Sequence, residues 1–194
     1  MKAFREHKGI AVPLDRNNVD TDQIIPKQFL KRIERTGYGE FLFYDWRFMS
    51  DGKPNREFVL NQPQYAGASI LIAGRNFGCG SSREHAAWAL AQYGFRAILA
   101  PSFADIFTTN AGNNGILLVT LPEPQIEDLQ ERARAAGYEL KVSLLDNTII
   151  DAQGFSSKFK IPEFRRTCLL EGLDEIGITL KHEDKIAAYE RRMA

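Results

Sequence analysis

Residues 68–100, ASILIAGRNFGCGSSREHAAWALAQYGFRAILA, decide the fold because an apolar segment leads through a glycine-rich turn into a helical pattern and a second apolar segment. Residues 68–74 predict a buried strand, and residues 83–94 predict a helix that ends at Gly94. Residues 96–102 predict the next strand. Continuous apolar strands joined by helices are typical of a parallel sheet covered on both faces.

The alternation of strands and helices continues downstream of this stretch. Residues 103–112 and 124–137 predict helices, and residues 115–121 predict a strand between them. The pattern then changes, because residues 138–145 and 148–151 alternate around an Asp-Asn turn and predict an antiparallel addition. We therefore predict an α/β fold with one mixed, largely parallel sheet flanked by helices.

The first third of the chain is less regular. Residues 9–14 predict a short strand, whereas residues 27–66 are rich in turn formers, aromatics and arginine and keep no sustained period. A long irregular stretch inside a compact domain is typical of a binding loop or a partner surface. The aromatic run from Phe41 to Trp46 fits either a core strand or a docking face. No boundary divides the chain, so we expect residues 1–194 to form one domain.

The composition limits the classes of function. Of the 194 residues 44% are hydrophobic, and 25 Lys and Arg balance 25 Asp and Glu, so the formal net charge is zero. A neutral chain has no overall field to attract nucleic acid or anionic lipid. No segment approaches the roughly 20 apolar residues of a membrane span, and no signal-peptide core is visible. We therefore expect a cytoplasmic protein with no nucleic-acid or membrane partner.

The turn before the predicted helix has the features of an anion-binding site. The first amides of a helix are unpaired and lie at the positive end of its dipole, and Gly78 and Gly80 let a ligand approach the backbone closely. Neither phosphate motif fits, because a P-loop needs a lysine here and the fingerprint GxGxxG needs glycine where Arg83 stands. A guanidinium binds carboxylates in bidentate geometry, so a carboxylic acid is the expected ligand.

The residues at the start of this helix permit two explanations. Ser81 and Glu84 form the S-x-x-E pattern of a capping box, which would give Ser81 a structural role. That pattern leaves Arg83 unexplained, because a cation in the first helical turn opposes the helix dipole by a few tenths of a kcal/mol or more. A bound anion would offset that cost.

His85 and the two cysteines are further candidates for chemistry. His85 could act as a general base, but without an obvious third group a packing or hydrogen-bonding histidine is favoured. Cys79 and Cys168 lie far apart and outside any CxxC pair, so they indicate neither a disulfide framework nor a metal site. We therefore expect no metal ion bound by this chain.

Two motifs, NVDTDQIIP at residues 18–26 and GCGSSREHAAWAL at residues 78–90, resemble those of the 3-isopropylmalate dehydratase small-subunit family, also called isopropylmalate isomerase, which is related to the aconitase swivelling domain. The similarity runs over essentially the whole chain, through the segments at residues 29–48 and 102–107. It implies a single β/β/α swivelling domain. It also implies a separate large subunit that carries a 4Fe-4S cluster, so that this chain binds no cofactor itself.

The resemblance implies roles for the glycine turn. In the aconitase superfamily the first serine of the S-S-R element acts as a base toward the substrate carbon, and the second serine and the arginine hold a substrate carboxylate. These roles would fall on Ser81, Ser82 and Arg83, with Gly80 against the substrate. The helix-start amides and the arginine charge are the groups able to stabilise the serine alkoxide.

The resemblance also implies roles for two segments earlier in the chain. Thr21 and Asp22 correspond to a T-D element that lines the aconitase site, with Asp22 orienting the catalytic groups. From the residues alone, Asp20 and its neighbours are equally typical of a turn that bonds nearby amides. The segment FLKR falls where family members have a substrate-recognition loop, so Lys31 or Arg32 would distinguish the side chains of different substrates.

The resemblance thus implies a hydro-lyase subunit of leucine biosynthesis that is active only with its large subunit. The reaction would be the stereospecific isomerisation of 2-isopropylmalate and 3-isopropylmalate, small dicarboxylic hydroxy acids, by dehydration and rehydration, with iron as the Lewis acid for the departing hydroxyl. A homoaconitase or a citraconate- or methylmalate-type small subunit is an alternative within the same class. A stand-alone anion- or nucleotide-binding module is an alternative from another class.

Overall fold

A computed structural model describes residues 1–193, which fold around one seven-stranded sheet. The last residue of the predicted domain 1–194, Ala194, lies outside the described residues. The strands are β1 (Glu6–Leu14), β2 (Ile70–Ala73), β3 (Ala97–Ala100), β4 (Leu117–Thr120), β5 (Glu139–Ser143), β6 (Thr148–Ile150) and β7 (Ser156–Lys158). The helices are α1 (Thr21–Ile24), α2 (Tyr44–Arg47), α3 (Glu84–Tyr93), α4 (Asp105–Asn113), α5 (Glu123–Arg132), α6 (Glu163–Glu171), α7 (Glu175–Leu180) and α8 (Glu183–Met193).

The sheet has the order β4-β3-β2-β1-β5-β6-β7, with β1 at its centre. Strands β1 to β4 pair in parallel, whereas β1–β5, β5–β6 and β6–β7 pair antiparallel. The C-terminal half of β1 aligns Ala11 with Ile70, and its N-terminal half aligns Gly9 with Leu140. The predicted mixed sheet with a parallel core and an antiparallel addition is therefore confirmed.

Each face of the sheet is covered by its own layer. Alternate strand residues point to opposite faces, so Ile70 and Ile72 pack in the core under α5, whereas Leu71 and Ala73 pack in the core under α3 and α4. The inward face of α5 carries Ile126 and Leu129, and the residue that follows the helix, Ala133, is buried with them. Burying each large aliphatic side chain contributes roughly 1.5–3 kcal/mol, so these layers hold the sheet in place.

Residues 27–66 lie on the α3 side of the sheet. They contain α2 and short 3-10 helices at Lys27–Lys31, Tyr38–Phe41, Val59–Asn61 and Pro63–Tyr65. The possibility of a core strand in the aromatic run is wrong, since a 3-10 helix and α2 occupy it. Leu42 and Phe43 are nevertheless fully buried, and the Phe29 and Phe41 rings stack with centroids 4.1 Å apart. Apolar side chains rather than backbone pairing therefore anchor this region.

The end of the described chain is exposed. No residue of α8 is buried, although its charged and apolar residues follow a helical period. Within residues 1–193, none of the helices has both the length and the apolar character needed to cross a membrane.

Candidate active site

The glycine turn between β2 and α3 forms one side of the site. Gly78 and Gly80 have φ angles of +77° and +88°, a region that favours glycine. A Cβ atom on Gly78 would overlap the ring of Phe107, so this position requires glycine for its space as well as its backbone. The turn therefore brings the backbone close to α4 before the chain enters α3.

The segment between β1 and α1 is hydrogen-bonded to this turn. The Gly78 N–H donates to the Val19 carbonyl at 2.8 Å, and the Thr21 N–H donates to the Cys79 carbonyl at 2.9 Å. The Thr21 hydroxyl donates to the Ser81 carbonyl at 2.8 Å. The two motifs that carry the family resemblance thus lie side by side, because the carboxyl ends of the parallel strands β1 and β2 share one edge of the sheet.

Arg83 and Asp22 form an ion pair across the two segments. The Arg83 side chain is only 11% exposed and the Asp22 side chain 37%. Lys27 Nζ lies 3.9 Å from the second carboxylate oxygen of Asp22. The carboxylate compensates the cation that opposes the dipole of α3, and it holds the guanidinium at the mouth of the turn.

A pocket of about 230 Å³ opens beside the turn. The glycine turn and Thr21 line one side of it, and the first two turns of α4 line the other. Ser81 and Ser82 are exposed to it. Within residues 1–193, the backbone N–H groups of Ser82 and Arg83, which line the pocket, meet no acceptor. Unpaired amides, hydroxyls and a guanidinium on one pocket wall can bind a small carboxylate.

The structure brings together most of the site residues predicted from the sequence. The lining of the pocket includes Thr21, Gly80, Ser81, Ser82 and Arg83. Asp22 reaches the pocket through its ion pair with the arginine.

Lys31 and Arg32 are not part of this lining. Both residues are exposed at the end of a 3-10 helix. The Arg32 guanidinium lies over the Phe41 ring, 5.1 Å from its centroid, and Arg32 Nε is 3.7 Å from Glu34 Oε2. These two side chains therefore do not line the pocket, although Lys27, at the start of the same 3-10 helix, lies 3.9 Å from Asp22.

The predicted capping box at the start of α3 is wrong. The helix begins at Glu84 with Arg83 as its N-cap residue, and no side chain caps it. Glu84 instead accepts a hydrogen bond from the Trp88 indole at 3.2 Å. Because Ser81 lies before the helix, its carbonyl is free to bind Thr21, and a structural cap no longer accounts for its hydroxyl.

His85 and Cys79 have no geometry that indicates catalysis. The His85 ring packs 4.7 Å from the Trp88 ring and 5.3 Å from the Tyr38 ring, so the packing histidine is confirmed. Burial, with the nearby charge of Asp20, raises the pKa of the Cys79 thiol, which keeps it protonated and a weak nucleophile. Both cysteines are free thiols.

The wall of the pocket that α4 forms is not among the site residues predicted from the sequence. Ala104, Ile106, Phe107 and Asn110 line it. The predicted parallel order of strands could have indicated this wall. Parallel strands β2 and β3 end at the same edge of the sheet, so the loops that follow them lie close together. The α4 helix itself is predicted from the sequence, but none of its residues was given a place in the site.

The residues of this chain do not fit an iron–sulfur cluster. Such clusters are held by several cysteines, and the described chain contains no group of three or more His, Cys, Asp or Glu residues placed to bind a metal ion. Cys79 lies in the glycine turn and Cys168 in α6, and neither is near a second cysteine.

Comparison with known protein families agrees with the fold and the site. The family model for the aconitase C-terminal domain matches residues 1–124, which include β1, α1 and the glycine turn. The model for the C-terminal domain of the 3-isopropylmalate dehydratase small subunit matches residues 175–194. Fold and site together define an aconitase-type C-terminal domain.

Curated relatives and a solved structure narrow the assignment. The 3-isopropylmalate dehydratase small subunit of Acidobacterium capsulatum is 60% identical over 98% of this chain and 90% of its own length. That of Koribacter versatilis is 57% identical over all of both chains. The crystal structure of a 3-isopropylmalate dehydratase from Methanocaldococcus jannaschii matches with a TM-score of 0.67 at 26% identity, over 95% of this chain and 99% of that chain. The chain belongs to the 3-isopropylmalate dehydratase small-subunit family, whose members are hydro-lyase subunits.

Proposed function

We propose that this chain, with a large subunit, interconverts 2-isopropylmalate and 3-isopropylmalate by removal and readdition of water in leucine biosynthesis. The observation that carries the proposal is one pocket that gathers Ser81, Ser82, Arg83 and the unpaired amides just before α3. That pocket belongs to a chain about 57–60% identical to curated small subunits of the dehydratase. The pocket volume, about 230 Å³, suits a small hydroxy acid.

In this proposal Ser81 moves the proton at the substrate carbon. Its oxygen takes the proton from one substrate carbon as the hydroxyl leaves the adjacent carbon, which forms a carbon–carbon double bond. In the hydration the proton returns to the carbon that lost the hydroxyl, and a hydroxyl adds to the carbon that lost the proton. Ser82 and Arg83 hold a substrate carboxylate, and Gly80 and Thr21 lie against the bound acid. The unpaired amides stabilise negative charge on the serine oxygen, because they are fixed donors in a site that a partner would close to water. Asp22 positions Arg83 through their ion pair.

We further propose that the partner is a large subunit and that the 4Fe-4S cluster lies there. The curated relatives are named small subunits. The residues described in this chain offer no cluster site, and Ser81 and Ser82 lie in a pocket open to solvent that a second surface must cover. The assembled enzyme would be cytoplasmic.

Residues 27–66 are the part of this domain that we propose for substrate recognition and partner contact. Their loop places Lys31 and Arg32 on the exposed surface, where closure of the large subunit over the pocket could bring them to the substrate. In that position they would distinguish substrates by the group attached to the common malate frame.

The test is the variant Ser81→Ala, assayed after assembly with a cluster-bearing large subunit. We expect dehydration of 3-isopropylmalate to fall by about 10²–10⁴-fold, because the variant lacks the group that transfers the proton. Stability should not change measurably, since Ser81 is exposed and does not cap α3. Turnover is followed by absorbance of the unsaturated intermediate, and unfolding is followed by circular dichroism.

Ser156→Ala is the matched control, because Ser156 is also an exposed serine but lies in β7, outside residues 27–66 and away from the pocket. It should leave turnover and assembly unchanged. Near-normal turnover in Ser81→Ala would contradict the proposed base. Wild-type enzyme that assembles but converts no isopropylmalate would contradict the proposed reaction, and tight binding of nucleotides by the isolated chain would then favour a binding module.

A further inference from the structure

The first two turns of α4 present two different side chains to the pocket. Ile106 and Asn110 both line it, and their spacing of four residues places them on the same face of the helix. They lie across the pocket from Ser81, Ser82 and Arg83, which supply its hydroxyls and its cation. None of the roles proposed so far uses this second wall.

Ile106 is an apolar side chain that the core does not use. It is 53% exposed, whereas the next residue, Phe107, is 2% exposed and packs beneath the glycine turn. The exposed isoleucine therefore faces a pocket whose opposite wall is polar. An apolar contact is available there for a ligand that has both a charged and an apolar part.

Asn110 is a polar side chain without a partner in its own domain. Within residues 1–193 its carboxamide makes no hydrogen bond, although it is half-buried. The neighbouring hydroxyls are used, since Thr108 Oγ1 donates to the Ala104 carbonyl at 3.0 Å and Thr109 Oγ1 donates to the Asp105 carbonyl at 3.4 Å. A carboxamide offers both donors and an acceptor, which suits a hydroxyl or a carboxylate.

The α4 wall is held rigidly against the glycine turn. The Ala104 N–H donates to the Phe77 carbonyl at 3.1 Å, and the Phe77 N–H donates to the Ser102 carbonyl at 3.1 Å. The Phe107 ring fills the space that a side chain on Gly78 would need. The two walls therefore keep a fixed separation, and a fixed separation lets a pocket select a ligand by shape.

The charges across the pocket give a bound acid one orientation. Arg83 lies on the glycine-turn side, and Asp105 lies on the α4 side. A carboxylate is attracted to the guanidinium and repelled by the aspartate, so the carboxylates of a dicarboxylic acid favour the glycine-turn side of the pocket. The alkyl branch of the acid is the part left to face Ile106.

We propose that α4 is the specificity wall of this site: Ile106 contacts the branched alkyl group of the substrate, and Asn110 hydrogen-bonds its hydroxyl or a carboxylate. This inference rests on the proposed function, because it assigns the parts of an isopropylmalate to the two walls. Ile106 selects for the alkyl group, and Asn110 binds a group common to all malate derivatives.

The experiment uses the assembled enzyme and compares kcat/KM for 3-isopropylmalate with that for a methyl-substituted malate. We expect Ile106→Ala to lower the ratio of these two values by about 10-fold or more, because only the isopropyl substrate fills the lost contact. Ile106→Val should lie between the alanine variant and the wild type. Asn110→Ala should lower kcat/KM for both substrates by a similar factor of about 10.

Thr109→Ala is the matched control, since its hydroxyl contacts only its own helix and it is not part of the pocket lining. It should change both values by no more than about twofold. An unchanged ratio in Ile106→Ala, with wild-type enzyme that converts 3-isopropylmalate, would overturn this inference alone. A loss that follows weaker binding of the large subunit would also overturn it, because Ile106 would then lie in the interface between subunits. Wild-type enzyme without activity on 3-isopropylmalate would overturn the proposed function as well.

Discussion

Arg83 is nearly buried at the start of α3, where its charge is unfavourable, and Asp22 compensates that charge from α1. Gly78, in the same turn, also depends on a distant residue, because the ring of Phe107 occupies the space that a side chain at this position would need. At the residue scale the site therefore depends on contacts between segments that are remote in the sequence. A substitution that leaves every functional group in place can still disrupt it.

Gly78→Ala tests this dependence. The left-handed backbone costs an alanine about 1–2 kcal/mol, and the overlap with Phe107 should cost about 1–3 kcal/mol more. Gly67→Ala is the control, because Gly67 also has a positive φ, +74°, but has open space around it. Urea unfolding should show the larger loss for Gly78→Ala. Equal losses in the two variants would mean that Phe107 moves aside without cost.

At the scale of elements, the central strands and helices were predictable because their apolar periods agree with their burial. β2, β3 and β4 lie within the three apolar runs that predict strands, and Gly94 ends α3 as predicted. β7 was missed because it is three residues long and reads Ser-Ser-Lys, with no apolar period. The position of this strand is set by its pairing with β6, and the local sequence does not predict that pairing.

The starts of the helices also depend on contacts that the local sequence does not show. Asp20 and Gln23 form a true capping box at α1, whereas the similar pattern before α3 does not form one. The residues before α3 make tertiary contacts and no local cap: the Thr21 hydroxyl donates to the Ser81 carbonyl, and Asp22 binds Arg83. The motifs of the site were therefore readable from the sequence, but the contacts that join them and the α4 wall were not.

The antiparallel half of the sheet is tied to α5 through one carboxylate. The Asp151 side chain is fully buried and accepts hydrogen bonds from the Tyr138 hydroxyl at 2.7 Å and from Arg132 at 3.2 Å. It also accepts the backbone N–H groups of Gln153 and Phe155. This carboxylate therefore fixes the turn between β6 and β7 against the end of α5.

Asp151→Asn should destabilise the fold by about 3 kcal/mol, because it removes the charge from a buried and hydrogen-bonded ion pair. Burial alone would raise the pKa of Asp151, but the hydrogen bonds from Tyr138 and the backbone, with the charge of Arg132, hold that pKa below its ordinary value. Its stabilisation is therefore present above the unfolded pKa, near 4, and is lost as pH falls through the folded pKa. Acid unfolding, measured by circular dichroism, should be less pH-dependent in the variant.

Asp128→Asn provides the control for this prediction. Asp128 pairs with the same arginine, Arg132, at 2.9 Å, but its side chain is 47% exposed. Exposed pairs of this kind contribute about 0–1 kcal/mol, so the loss should be small. A loss from Asp128→Asn as large as that from Asp151→Asn would contradict the importance of the buried carboxylate.

At the scale of the whole molecule, β1 joins the parallel and antiparallel halves of the sheet, and His7, in its antiparallel part, contacts the residue just before β2. Its Nε2 is 2.7 Å from the Ser69 hydroxyl. Burial, with the positive charges of Arg96 and Lys2, lowers the pKa of His7. Protonation of one half-buried ring therefore acts on the strand that holds both halves together.

The lowered pKa of His7 makes the free energy of unfolding depend on pH. Unfolded chains bind a proton at His7 near pH 6.5, whereas the folded chain binds it only at lower pH, so the free energy of unfolding should fall as pH drops below about 6.5. His7→Gln should remove this contribution, because glutamine does not titrate. Urea unfolding at several pH values between 7 and 5 measures it, and an unchanged slope in the variant would contradict the role of His7.

The central position of β1 has a consequence for biosynthesis. A ribosome delivers this strand first, but its two partners are β2 and β5, and the second of these emerges only after most of the chain has been made. β1 can pair with β2 once residues 70–73 have been made, but its antiparallel edge stays open until β5 follows, and closing that longer loop slows completion of the sheet. We therefore expect the uncovered edge of β1 to be the part of the growing chain most prone to non-native strand pairing.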